Sequence, residues 1–191
     1  MHQGRPVVAF ADQAALDAWL AAQPADSPGA WIRFRKKGSV TPSVSKAEAI
    51  NSALCHGWID GQLNPWDADS WLIRFTPRRA QSKWSAVNRK RALELIDGGR
   101  MHAQGLAEIE RAKADGRWEA AYAPASTIAV PSDLQAALEA NPAAAAFFAA
   151  LTGANRYAVL YRIGAVKKAE TRARKIADYV AMLARGETLH K

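Results

Sequence analysis

The chain of 191 residues is 49% apolar and 23% charged, a balance that excludes a wholly disordered polymer and leaves enough side chains to bury a core. Its 26 Lys and Arg against 18 Asp and Glu give a formal charge of +8, and 12 Gly with 9 Pro exclude a collagen-like or low-complexity protein. Cys55 is the single cysteine, which rules out an internal disulfide and a paired-cysteine zinc site.

The first 80 or so residues read as mixed α and β. Ala15, Leu16, Trp19 and Leu20 share one side of a helix over Asp12 to Ala22, which Pro24 ends. Ala30 to Arg35 alternates instead, with Ile32 and Phe34 on one face and Arg33 and Arg35 on the other, as in a half-buried strand. Ser45 with Glu48 forms a capping box for a helix that carries Ala49, Ile50, Ala53 and Leu54 inward and closes at Gly57. Trp58 to Leu63 and Trp71 to Phe75 read as two strands that complete a small antiparallel sheet, joined by the turn residues of Asn64 to Asp69. The last strand delivers the chain to Thr76-Pro77-Arg78-Arg79.

From Ser82 onward the pattern is almost entirely helical. Ser85 caps a helix that stops at Gly98-Gly99, and a second runs from about Ala103 to Ala114. Ser132 with Gln135 reads as another capping box, and Asn141-Pro142 starts the next helix. Asn155 to Ala165 and Ala169 to Arg185 finish the chain, the last with Ile176, Val180 and Leu183 as its buried stripe. The fold expected is α+β, divided into an α+β domain at 1–83 and a helical region at 84–191.

The longest nearly pure apolar run, Ala143 to Leu151, is far short of the roughly 20 residues that cross a bilayer, so no transmembrane segment is expected. Asp12 and Asp17 interrupt the N-terminal apolar stretch, unlike a secretory signal. Both features, with the lone cysteine, lead to an expected cytoplasmic location.

Charge is uneven along the chain. Trp71 to Arg100 holds eight basic and two acidic residues and Gly153 to Lys191 nine and three, so each segment is +6 and the remainder is −4. Such asymmetry suits phosphates, nucleic acid or an acidic protein surface as partners. Arg78, Arg79 and Lys83 precede the helix start at Ser85, where unpaired backbone N–H groups favour anions. Trp84 offers an aromatic face, Asn88 lies about one turn farther on, and the final helix adds Arg172. These residues, with Asp60, form the expected ligand-binding set. The alternative is that Arg78 and Arg79 pair with Asp60, Asp67 or Asp69 and that Trp84 packs between domains.

Three strings are distinctive together: Ala53 to Gly61 (ALCHGWIDG), Phe75 to Asn88 (FTPRRAQSKWSAVN) and Glu170 to Ile176 (ETRARKI). Their order and separation resemble the YdeI/OmpD-associated family, also labelled bacteriocin-protection proteins. That resemblance implies a YjbR/CyaY-like α+β fold for the N-terminal part, a helical module at the C-terminal end and a role in stress or bacteriocin protection. It names no reaction. The sequence departs from the family pattern at His56, where an aromatic residue is usual.

The leading expectation is therefore a non-enzymatic binding protein with a basic surface for an anionic partner. The alternative is a small-molecule enzyme with a pocket around Asp60, Cys55 and His102. Asp60 sits between glycines in Gly57-Trp58-Ile59-Asp60-Gly61, where backbone can approach a ligand closely. Adjacent helical residues point about 100 degrees apart, so Cys55 and His56 do not make a natural nucleophile–base pair. His2, His56, His102 and His190 share no metal-ligand spacing and no phosphate-binding glycine loop precedes a helix, so neither metal nor cofactor is expected.

Overall fold

A computed structural model describes residues 1–190. It divides into two compact units, Met1–Ala121 and Tyr122 onward, each with its own apolar core.

The first unit is built on a four-stranded sheet in the order β1-β2-β4-β3. β2 (Ala30–Arg35), β3 (Trp58–Pro65) and β4 (Ser70–Pro77) pair antiparallel as the alternation predicts, with Ile32 opposite Ile73 and Trp58 opposite Pro77. β1 (Val7–Ala9), which three residues are too few to announce by periodicity, adds a parallel edge to β2. One face of the sheet carries Ile32, Phe34, Ile73 and Phe75. Against it pack Leu16 and Leu20 of α1 (Gln13–Ala21) and Ala49, Ala53 and Leu54 of α2 (Lys46–Cys55). On the other face Trp31 and Leu72 are also fully buried, and the ring of His2 stands edge-on to Trp31 at 4.8 Å.

The caps behave as their chemistry dictates. Asp12 accepts from the Ala15 N–H at 2.8 Å to open α1, and Ser45 and Glu48 satisfy each other's backbone N–H groups at the start of α2. α2 ends in Gly57, whose φ of +74° is a left-handed conformation that a side chain resists.

The division at 121/122 differs from the expected one at 83/84 by two helices, α3 (Ala86–Asp97) and α4 (Ala103–Ala114). Their inward residues explain the difference: Ala92, Leu95, Ile109 and Ala112 belong to the same core as the sheet. Trp84 and Trp118, edge-on to each other at 4.8 Å, join the same core as Ile32 and Phe75, so residues on both sides of 83/84 form one body.

The second unit contains α5 (Ser132–Glu139), α6 (Pro142–Ala150), α7 (Gly153–Gly164) and α8 (Ala169–Ala184). Leu134, Leu138, Phe148, Leu160, Ile163, Ile176, Val180 and Leu183 make its core. Asn141 caps α6 with Pro142 at the first helical position, as expected. Ser132 does not cap α5. It is already helical, Pro131 holds the cap position, and Asp133 takes the Leu134 N–H at 2.9 Å. No helix among the described residues is long and apolar enough to cross a membrane.

Candidate functional site

The first unit contains a cleft of about 360 Å³. Its walls are the end of α1 with the loop that follows (Leu20, Gln23, Pro24), the α2–β3 turn (His56, Gly57, Trp58), the end of β4 (Pro77, Arg78) and one side of α4 (Gln104, Glu108, Arg111). Gly57 brings the α2–β3 turn against α4. A Cβ built there would lie 2.9 Å from the Gln104 carbonyl oxygen and 3.1 Å from the Glu108 Cγ, so only glycine permits this approach.

Three ionisable residues of the cleft are more than nine-tenths buried: Arg78 at 5%, His56 at 6% and Glu108 at 6% exposure. Such groups are normally paired, because burial removes the water that stabilises charge. The Glu108 Oε1 accepts from the Arg111 guanidinium, while its Oε2 has no hydrogen-bond partner among the described residues. Burial pushes the Glu108 carboxyl above the ordinary glutamate range, opposed by Arg111, Arg78 and Arg117.

His56 Nε2 also lacks a hydrogen bond and lies 3.7 Å from the Asp17 Oδ1. Its ring stacks on that of His102, with centroids 4.2 Å apart. Burial, reinforced by His102, lowers the His56 pKa against the pull of Asp17, so the imidazole is kept neutral. The cleft thus holds an acid whose pKa is raised and a base whose pKa is lowered, a pairing of shifts that clusters at functional sites.

Of the expected ligand-binding set, Arg78 alone lines this cleft. Its guanidinium is not a free surface cation as expected, but lies 3.7 Å over the Trp84 ring, with Nη1 donating to the Lys83 carbonyl at 3.3 Å. Trp84 is not an exposed aromatic face either: at 2% exposure it is a core residue. Arg117 donates to the Ser82 carbonyl at 2.8 Å, so the loop between β4 and α3 is pinned from inside by two arginines.

Arg79 and Lys83 are exposed, and Asn88 is half-buried with its backbone N–H given to the Ser85 cap. Asp60 is half-exposed on β3, beside an irregularity in its pairing with β4, and does not line the cleft. Arg172 belongs to the second unit. There it forks onto Asp133 at 2.5 and 2.9 Å and donates to the Ile163 carbonyl at 2.8 Å, so its charge joins α8 to α5.

Neither Cys55 nor His102 lines the cleft. Burial pushes the Cys55 thiol up, the opposite of the lowered value an attacking thiolate needs. His102 is exposed at the start of α4, its backbone N–H bonded to the Cys55 carbonyl. No group of three or more His, Cys, Asp or Glu among the described residues is placed to hold a metal ion.

The residues that the sequence reading missed are His56, Gln104, Glu108 and Arg111. For Glu108 a signal existed: with Gly105, Ile109 and Ala112 it occupies the i, i+3, i+4, i+7 stripe that α4 turns inward, where a carboxylate is out of place.

The second unit has a wider concavity of about 600 Å³ between α5 and α8. Alanines line much of it, and its charged members, Asp133 and Arg172, neutralise each other.

Comparison with known proteins follows the two units. No curated protein and no solved structure matches the chain. Residues 127–186, inside the helical unit, match the family described as Bacteriocin-protection, YdeI or OmpD-Associated. The third of the three distinctive strings, Glu170 to Ile176, lies in that match. The other two fall within residues 8–108, which match a different family and include His56, Arg78, Gln104 and Glu108. That second match covers more than half of the sequence and carries no assigned activity: the chain belongs to the family described as Domain of unknown function (DUF8412), with a YdeI/OmpD-associated segment at 127–186.

Proposed function

We propose that the chain is a binding protein in a bacteriocin-protection role, and that its sheet-bearing unit holds a small anionic ligand in the cleft between the α2–β3 turn and α4. The observation that carries this reading is the convergence of buried Arg78 and half-exposed Arg111 on one concavity with Glu108 and His56. With the His56 pKa lowered, Arg78 and Arg111 outnumber the single carboxylate of Glu108 in the lining, and a bound anion compensates the excess positive charge. The Arg111 guanidinium offers forked donors matched to carboxylate or phosphate oxygens, and buried Arg78 adds its charge to the lining. The binding site is a cleft of the first unit, and the reading does not need Arg172. A cytoplasmic location and a YjbR/CyaY-like class for the sheet-bearing unit belong to the same proposal. The latter is supported by α1 and α2 packing on one face of the sheet.

The test is calorimetric titration of the full chain with inorganic phosphate and with acetate at low salt, alongside Arg111→Ala. Arg111 has a side chain 58% exposed but donates to buried Glu108, so the unfolding temperature of the variant is measured alongside its binding. At least one anion should bind, raising the unfolding temperature in proportion to its occupancy. Arg111→Ala should weaken that binding about fivefold or more. Absence of binding by either anion, or indifference to the substitution, would end this reading.

A further inference from the structure

We infer that the ligand of the cleft is an anion that also carries a hydroxyl, held through its charge by Arg111 and through its hydroxyl by Glu108. The inference rests on the anion-binding reading above and specifies the class of ligand.

Its basis is an acceptor that receives nothing. Glu108 is more than nine-tenths buried and lines the cleft, yet its Oε2 has no hydrogen bond among the described residues. A carboxylate has only acceptor sites to offer, and a buried oxygen left bare is costly. A ligand that donates to this oxygen would satisfy it, and a carboxylate ligand brings no donor of its own.

Two kinds of donor would serve, and the surroundings choose between them. Arg111, Arg78 and Arg117 all act on the Glu108 carboxyl. An ammonium donor would enter as a further cation among three, whereas a hydroxyl donates its proton without adding charge. The neutral donor is favoured.

Arg111 is bonded to Glu108 Oε1 and also lines the cleft, so an anion on its other N–H groups lies near the carboxyl. A ligand that carries both an anionic group and a hydroxyl can engage both residues. The last torsion of a glutamate is broad, so the carboxyl can turn Oε2 toward an entering hydroxyl while half-exposed Arg111 follows. His56 Nε2 adds a second unpartnered polar atom, able as a neutral imidazole to donate or accept according to its tautomer.

The same chemistry occurs in hydroxy acids and in polyol phosphates, and two ligand pairs separate them. Glycolate is titrated against acetate, and 2-hydroxyethyl phosphate against ethyl phosphate, into the full chain and into Glu108→Met. In the wild type the hydroxylated member of at least one pair should bind about tenfold tighter than its partner, and the pair that shows the gap identifies the charged group. Glu108→Met should close the gap while the plain anion still binds. Equal affinities within both pairs, or a gap that persists in Glu108→Met, overturn the inference and leave the anion-binding reading standing. If none of the four ligands binds, both fall together. The wild-type comparison decides the hydroxyl preference even if Glu108→Met does not fold.

Discussion

Replacing Gly105 by alanine tests how closely α4 is seated on the end of α2. In an open helix this substitution stabilises by up to about 1 kcal/mol, because glycine is a poor helix former. Gly105 is not in the open. A Cβ there would lie 2.4 Å from the Cys55 carbonyl oxygen, 2.6 Å from that of Leu54 and 2.7 Å from the Met101 Cε. Met101 can swing away, but the two carbonyls are backbone, and relief requires α4 to retreat from α2 by about 1 Å to restore ordinary contacts. Overpacking of this kind costs typically 1–3 kcal/mol, and an obstruction by backbone belongs at the upper end. The net expectation is a loss of about 2 kcal/mol, which for a unit of this size lowers the midpoint by roughly 6–12 °C. All seven tryptophans lie within residues 1–121, so tryptophan fluorescence during thermal unfolding reports this unit alone. Gly164→Ala is the control: nothing lies within 4 Å of its Cβ position, and it should stabilise the helical unit by about 0.5 kcal/mol, read by circular dichroism. A Gly105→Ala protein as stable as the wild type, or more so, would refute the close seating of α4.

The lowered pKa of His56 makes the first unit sensitive to acid. The unfolded state takes up the proton first, so stability should fall as pH drops below about 6.5 and level off once the folded imidazole is also protonated. Glu108, with its raised pKa, acts in the opposite sense, and its contribution cancels when wild type and His56→Gln are compared by urea unfolding. His56→Gln should show the shallower loss between pH 6.5 and 5, and parallel curves would contradict the assignment. In the helical unit, Arg172 lowers the Asp133 pKa through its hydrogen bonds, so this link is present above about pH 4 and disappears as pH falls through the folded value. Both partners reach solvent, so Asp133→Asn should cost no more than about 1 kcal/mol at neutral pH. A loss of several kcal/mol, measured by circular dichroism, would mean that the pair does more than join α5 to α8.

What the sequence revealed of the fold was the part written in local chemistry. Ser45 with Glu48, Asn141 with Pro142, and Gly98-Gly99 mark helix ends through side-chain caps and a left-handed glycine, and each lies where expected. β1 escaped notice because its partner, not its pattern, makes it a strand. The boundary was misplaced for a related reason: α3 and α4 have helical periodicity, but whether their apolar stripes face the sheet or other helices depends on contacts far along the chain. The site was the least legible. Arg78 and Arg79 are neighbours of identical type, yet one is buried on Trp84 and the other exposed, and a charge sum over a segment weighs them equally. Arg172 contributes to the same kind of sum although Asp133, 39 residues away, holds it.

The order of the strands sets a timetable for synthesis. β1 is made first but has nothing to join until Ala30–Arg35 exists, and β2 gains its second neighbour only when Ser70–Pro77 has followed. The core beneath them then waits for Ala112 and Trp118, so this body is complete once Ala121 has left the ribosome. Residues 122–191 draw on a separate set of apolar side chains. A nascent chain therefore meets two smaller folding problems in succession, and the earlier can be solved before the later has been translated.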